Sequence, residues 1–496
     1  MYRRSLFLST CLVAAAAAVA SAAQPPPPPN VTWTRFVSGE VLNDPVAYAA
    51  TDRAGNMYLA GNHGGATTTS GGKTAQFGSP HAPGGDLWVA KLDPEGSVLW
   101  LRVLGGSGEG DFARGVAVLS DGRIAVGVIT DSPDFPGAQV RMGQTAGFDD
   151  SVVTVLDPKD GAVLWSRYLG GSGPNGVEGV APLPGGGVAV GGWQMPAPNS
   201  DAVAYAAALT ADGAVRWKRT LAARRPVTRA EADAGYGNVV YGFAVSTDRS
   251  GQVYLAGRTT SPHLPASARA VERTMRPRTG SAAYVAAFRA DGKALTWLSY
   301  LGGHGHTEAT TLSVSAAGTV TVGGLTTARD FARGWAVPLR CTGDGAADIF
   351  TSPTDGFVAQ FTAKGSRVRA ACVGGTKADA ISQLRVAGDG TLLAIGSTGS
   401  ADFPRLHALH TDGSGGGDGF LVAFDSAGRL RTSTLVAGSA NDSAVGVALL
   451  PGGDAVVSGR TNSTDFPGAR SGDLDGPLGP DGTVHNATFV TRLHGV

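Results

Sequence analysis

The sequence predicts an all-β fold: a seven-bladed β-propeller of four-stranded blades, closed by an N-terminal strand that completes the last blade. Three observations predict it. Glycine supplies 74 of the 496 residues, about twice the usual ~7%, and it comes with short β-branched runs rather than a collagen-like triplet. A strand-and-turn motif built on tryptophan, leucine and paired glycines returns at long intervals. Finally, the chain starts with one orphan strand of this motif and stops one strand short of completing it.

The propeller expectation begins only at residue 31. Arg3 and Arg4 precede an apolar run from Leu6 to Ala20, and the small residues "ASAA" at 20–23 offer a cleavage site. Residues 1–23 therefore read as a secretory signal peptide, cut after Ala22 or Ala23. The run is shorter than the roughly 20 residues a spanning helix needs, and no other segment is apolar enough to cross. "QPPPPPN" (24–30) reads as a stiff proline-rich linker, since proline runs favour polyproline II and cannot join a ladder. The mature chain is expected to be extracytoplasmic: periplasmic, surface-exposed or secreted. The 40 basic and 40 acidic residues balance, and losing Arg3 and Arg4 tips the charge only slightly negative. That leaves no basic footprint for nucleic acid or anionic lipid.

The repeat is legible in "VLWLRVLGGSGEG" (98–110), "VLWSRYLGGSGPN" (163–175) and "LTWLSYLGGHGHT" (295–307). More divergent copies start at 31, 215, 367 and 430, which aligns Trp33, Trp100, Trp165, Trp217 and Trp297 with Arg369 and Thr432. The second unit shows the four predicted strands as "RGVAVLSDG" (114–122), "RIAVGVIT" (123–130), "SVVTVLDPKDG" (151–161) and "AVLWSRYLGG" (162–171). Alternating apolar residues mark each as a strand, and Asp-Gly pairs supply the hairpin turns. Units of four antiparallel strands at periods of roughly 50 to 80 residues point to propeller blades. The closing "ATFVTRLHGV" is a third strand with no fourth, and the opening "VTWTRFVSG" is a fourth strand with no third. Joined, they remove the open sheet edge.

These units resemble the SBBP β-propeller repeat of secreted and surface bacterial proteins. The resemblance is carried by "LRVLGGSGEGDFARGVAV" (101–118), "GSTGSADFP" (396–404) and "GDGFLVAFDSAGRL" (417–430), and it covers residues 31–496. It implies a propeller outside the cytoplasm and no particular activity. The "DFP" loop at Asp134, Asp402 and Asp465 is expected to cap a turn through Asx bonds, with Phe135, Phe403 and Phe466 buried against the next blade. A ring of metal-binding aspartates is the competing reading.

If "GVAV" lines the channel and "VLW" lies outermost, the GGSG and DFP loops emerge on one face. That face also carries the insertions 64–85, 268–281 and 332–353, so binding is expected there, around Trp193, Trp335 and Phe350. Two cysteines remain in the mature chain, and Cys341 and Cys372 are expected to pair, although separate thiols stay open. His304, His306 and Glu308 alternate in "GGHGHTEAT", a set that zinc or copper would accept on one side of a strand. The same residues also read as a polar turn at a propeller mouth. "SGDLDGPLGPDGT" (471–483) faintly resembles a calcium loop but lacks the EF-hand spacing.

No cofactor is predicted, and calcium or zinc is the ion the sequence would allow as one. No GxSxG elbow, HExxH helix or P-loop is present. The leading expectation is a secreted or envelope scaffold that binds a glycan or protein partner without catalysis. The alternative is a metal-dependent propeller enzyme, or a metal or glycan binder, that uses the central mouth.

Overall fold

The computed structural model of the protein describes residues 28–38, 47–63, 67–70, 73–76, 86–108, 110–138, 149–267, 270–276, 280–331, 341–345, 352–409, 416–469 and 486–496. Seven four-stranded antiparallel sheets form a β-propeller. The innermost strands of blades 1 to 7 are Ala47–Thr51, Asp111–Val118, Asn175–Pro182, Val240–Thr247, Thr307–Val314, Asp379–Val386 and Asp442–Leu449. Each of these strands contacts its counterpart in the next blade, and the seventh contacts the first. The ring is therefore closed around a central channel.

Closure follows the predicted arithmetic. The outer strand of blade 7 is Asn30–Ser38, paired antiparallel with Ala487–His494 so that Asn30 faces His494 and Ser38 faces Thr488. The strands of blade 2 fall at Asp111–Val118, Ile124–Thr130, Asp150–Leu156 and Val163–Tyr168. The first begins three residues before its predicted start because a β-bulge between Ala113 and Gly115 interrupts the alternation. The insertion after the second strand of blade 1 forms a small hairpin of its own, Thr67–Ser70 with Lys73–Gln76.

The recurring tryptophans join the blades. Each sits on an outermost strand and donates its indole Nε1 to a carbonyl in the turn between the third and fourth strands of the next blade. Trp33 donates to Pro94 O at 3.3 Å, Trp100 to Pro158 O at 3.1 Å and Trp165 to Ala211 O at 3.0 Å. Trp217 donates to Ala290 O at 2.9 Å and Trp297 to Ala363 O at 2.8 Å. The glycine of that turn lies flat on the indole with positive φ. At Gly213, with φ of 84°, a Cβ would run into the Trp165 ring. The Asp-Gly dipeptides therefore serve two ends, a left-handed turn and a surface against which an indole can rest.

The DFP loops are scaffold, with one correction. Asp134 accepts hydrogen bonds from the Ser107 amide at 2.7 Å and hydroxyl at 2.9 Å. Asp402 does the same for Thr376, and Asp465 for Ser439. These aspartates thus pin the neighbouring GGSG turn. The phenylalanines pack on the third strand of their own blade, Phe403 on Phe420 at 4.6 Å and Phe466 on Phe489 at 4.3 Å. Their apolar clusters extend to the preceding blade, not to the next one. The reason is geometric: the loop folds back over the sheet it has just left.

Candidate functional site

The GGSG and DFP loops share one face, as their mutual hydrogen bonds require, and the central channel opens among them. Side chains reach this mouth through the bulges. Every innermost strand from blade 2 to blade 7 carries a register shift near its third residue. A bulge adds one residue and re-aims its side chain. The added residues Arg114, Glu178, Phe243, Thr310 and Ser382 all line the upper channel, a cavity of about 90 Å³ that Tyr48 also borders. A wider section of about 300 Å³ lies below, lined by Val116, Val180, Val245, Leu312 and Arg385. Burial pushes the Arg385 guanidinium down to about 10.

Blades 3 to 5 gather a continuous set of side chains at this mouth. Trp193, on the second strand of blade 3, donates Nε1 to Glu178 Oε1 at 2.9 Å. Its ring meets Tyr241 edge-on at 5.7 Å, and Tyr241 stacks on Phe243 at 5.7 Å with planes 9° apart. Arg258 lies over the Tyr241 ring at 5.2 Å and faces Glu308 Oε2 with Nε at 3.6 Å. His306 Nε2 faces the same Glu308 oxygen at 3.4 Å, while its Nδ1 is 3.0 Å from Ser281 Oγ. Half-buried aromatic faces therefore alternate with fixed charges of both signs. Such a surface presents apolar ring faces and directional hydrogen-bonding groups together.

The structure divides the histidine cluster. His306 and Glu308 come together, but His304 stays in the preceding turn, where its amide and Nδ1 reach the two Asp330 oxygens at 2.6 and 2.7 Å. Strand structure starts only at Thr307, so the alternation does not extend back to His304. Among the described residues, no group of three His, Cys, Asp or Glu side chains is placed to hold a metal ion. Trp193 belongs to the mouth, whereas Trp335, Phe350 and the acidic loop 471–483 lie outside the described residues, as do the predicted signal peptide and most of the proline linker. Cys341 and Cys372 are disulfide-bonded, with Cα atoms 5.2 Å apart. The bond ties the 332–353 insertion to the outermost strand of its own blade. Thr342 and Gly343, next to Cys341, donate to Asp355 at 2.6 and 2.8 Å.

Sequence reasoning missed Arg114, Glu178, Tyr241, Phe243 and Arg258. The available signal was the one large or charged residue interrupting each innermost strand, in "DFARGVAV", "NGVEGVAP" and "VYGFAVST".

No protein-family model matches the sequence, and no curated protein is similar to it. Solved structures similar to the chain include one from the mitotic checkpoint complex, with 10% identity, 98% of each chain covered and a TM-score of 0.47. Another is the Pan2 WD40 domain of Neurospora crassa, with 10% identity, 90% of this chain and 89% of that one covered, and a TM-score of 0.44. A third is the quinohemoprotein alcohol dehydrogenase of Comamonas testosteroni, with 11% identity, 94% and 76% coverage, and a TM-score of 0.41.

Proposed function

We propose that the protein is an extracytoplasmic propeller of the SBBP-like kind that binds a saccharide at the channel mouth of its loop-rich face, without catalysing a reaction on it. The observation that carries this reading is the stacked Tyr241–Phe243 pair beside Trp193, with Glu178, Arg258 and Glu308 around it. Sugars combine apolar C–H faces with a rim of hydroxyls. Aromatic faces take the first, and carboxylates and guanidinium groups take the second. Charges held in place by protein partners present their hydrogen-bonding groups to sugar hydroxyls in fixed directions. The apolar leader and the disulfide support a location outside the cytoplasm.

The test is a panel of envelope and host oligosaccharides screened by thermal shift and calorimetry, with calcium, zinc and EDTA as separate arms. Wild type should bind one saccharide class, and Tyr241→Ala or Phe243→Ala should weaken it at least tenfold without lowering the melting temperature by more than a few degrees. Unchanged saccharide affinity in the folded double variant would sink the proposal. Zinc-dependent turnover that disappears in His306→Ala would replace it with the enzyme reading that the His306–Glu308 pair motivates.

A further inference from the structure

The tryptophan girdle lapses at two junctions, and at the first of them an arginine stands in for the indole. Where blade 5 meets blade 6, the outermost strand Arg367–Val373 places Arg369 in the indole position. Arg369 keeps part of the indole's role. Its Nη2 donates to Ser426 O at 2.8 Å, in the turn that Trp297 reaches one junction earlier. Its Cδ, Nε and Nη1 lie against Gly428, whose φ of 82° matches the other girdle glycines. Nε is held by Gln360 Oε1.

What Arg369 does not supply is the volume of a bicyclic ring. A cavity of about 390 Å³ remains between the two blades, lined by Val358, Ala370, Ala371, Leu392 and Phe424, with Gln360, Arg369 and Asp425 at its polar edge. Phe424 holds the position that Phe361 holds one junction earlier, where Phe361 packs against Trp297 at 6.0 Å. The volume falls within the ~300–1,000 Å³ typical of small-molecule pockets. Asp425 is already engaged: Oδ2 accepts from Arg429 Nε at 2.7 Å and Oδ1 from the Arg429 amide at 2.9 Å. Arg369 is the guanidinium lining the cavity, and the Asp425 carboxylate, held by Arg429, lies close enough to act on its charge. Among the described residues, Arg369 Nη1 has no hydrogen-bond partner. A guanidinium beside apolar walls favours a planar anion that can both stack and pair.

We propose that the junction between blades 5 and 6 is a binding pocket for a flat aromatic acid, its ring taking the place of the missing indole and its carboxylate or sulfonate pairing with Arg369. This site is separate from the channel mouth and does not depend on the saccharide reading.

The test titrates the full chain with 8-anilinonaphthalene-1-sulfonate, an aromatic sulfonate that fluoresces on entering apolar sites, with indole-3-carboxylate and neutral indole as competitors. Wild type should show a saturable one-to-one component displaced by the carboxylate. Arg369→Trp should restore the girdle, hold or raise the melting temperature and weaken that component at least tenfold. Arg369→Met should keep the cavity but lose most of the preference for indole-3-carboxylate over indole. A wild type without saturable binding overturns the proposal, as does an Arg369→Trp variant that binds the probe unchanged. Equal competition by indole and its acid in wild type would remove the anion from it.

Discussion

At the scale of single residues, the most consequential groups outside the mouth are buried carboxylates at the starts of strands. Asp379 Oδ2 accepts from the Gly375 amide at 2.7 Å and the Ser400 hydroxyl at 2.9 Å, and Asp442 is held in the same way by Gly438 and Ser463. Burial, offset only in part by these hydrogen bonds, pushes both carboxyls up to about 6, and Asp355 and Asp418 add a like-charge push. Blade 3 shows a different solution. Asn175 fills the equivalent position, accepts from the Ser151 amide at 2.8 Å and donates Nδ2 to Asp150 at 2.9 Å. Because the folded state holds the proton more tightly, the stability each aspartate contributes is full below pH ~4 and lost as pH rises through about 6. A shift of about two units corresponds to roughly 3 kcal/mol per group. Asp379→Asn and Asp442→Asn should therefore leave the melting temperature nearly unchanged at pH 4 and raise it by several degrees at pH 8. Parallel melting curves of variant and wild type across that range would contradict the assignment.

At the scale of elements, the girdle makes a graded prediction. Trp217→Phe removes the hydrogen bond to Ala290 but keeps most of the packing, and should cost about 1 kcal/mol. Trp217→Ala also empties the space over Gly292 and should cost about 3–5 kcal/mol. Chemical denaturation of both variants measures the difference, and equal losses would assign the whole effect to the indole hydrogen bond. The blades themselves were legible because alternation, Asp-Gly turns and repetition are local properties of the chain. The mouth was not, since it assembles one or two side chains from each of several blades. The bulges at Arg114, Glu178 and Phe243 also break the alternation on which the strand reading relies. His304 misled for a related reason: three residues before the strand, it follows the rules of a turn. Trp193 was found because it is an exception within a repeat, which is also what singles out Arg369.

At the scale of the molecule, the ring depends on a non-covalent seam. Deleting residues 1–38 would expose the edge of Ala487–His494 and remove Trp33 from Pro94. The truncated chain should self-associate and melt well below the full chain; light scattering that finds a stable monomer would show that six complete blades and one partial blade suffice. Blade 6 hands no indole across to blade 7, since Thr432 stands at that position. Blade 7 also has no tight turn between its third and fourth strands, its two outer strands coming from opposite ends of the chain. The seam therefore relies on its ladder and on contacts such as Thr34 Oγ1 to Pro467 O at 2.6 Å. Because Asn30 and His494 face each other at one end of that ladder, tension applied between them falls on the terminal hydrogen bond first and then on each successive one. The propeller is a closed ring, but to a pull on those two residues it presents a zipper.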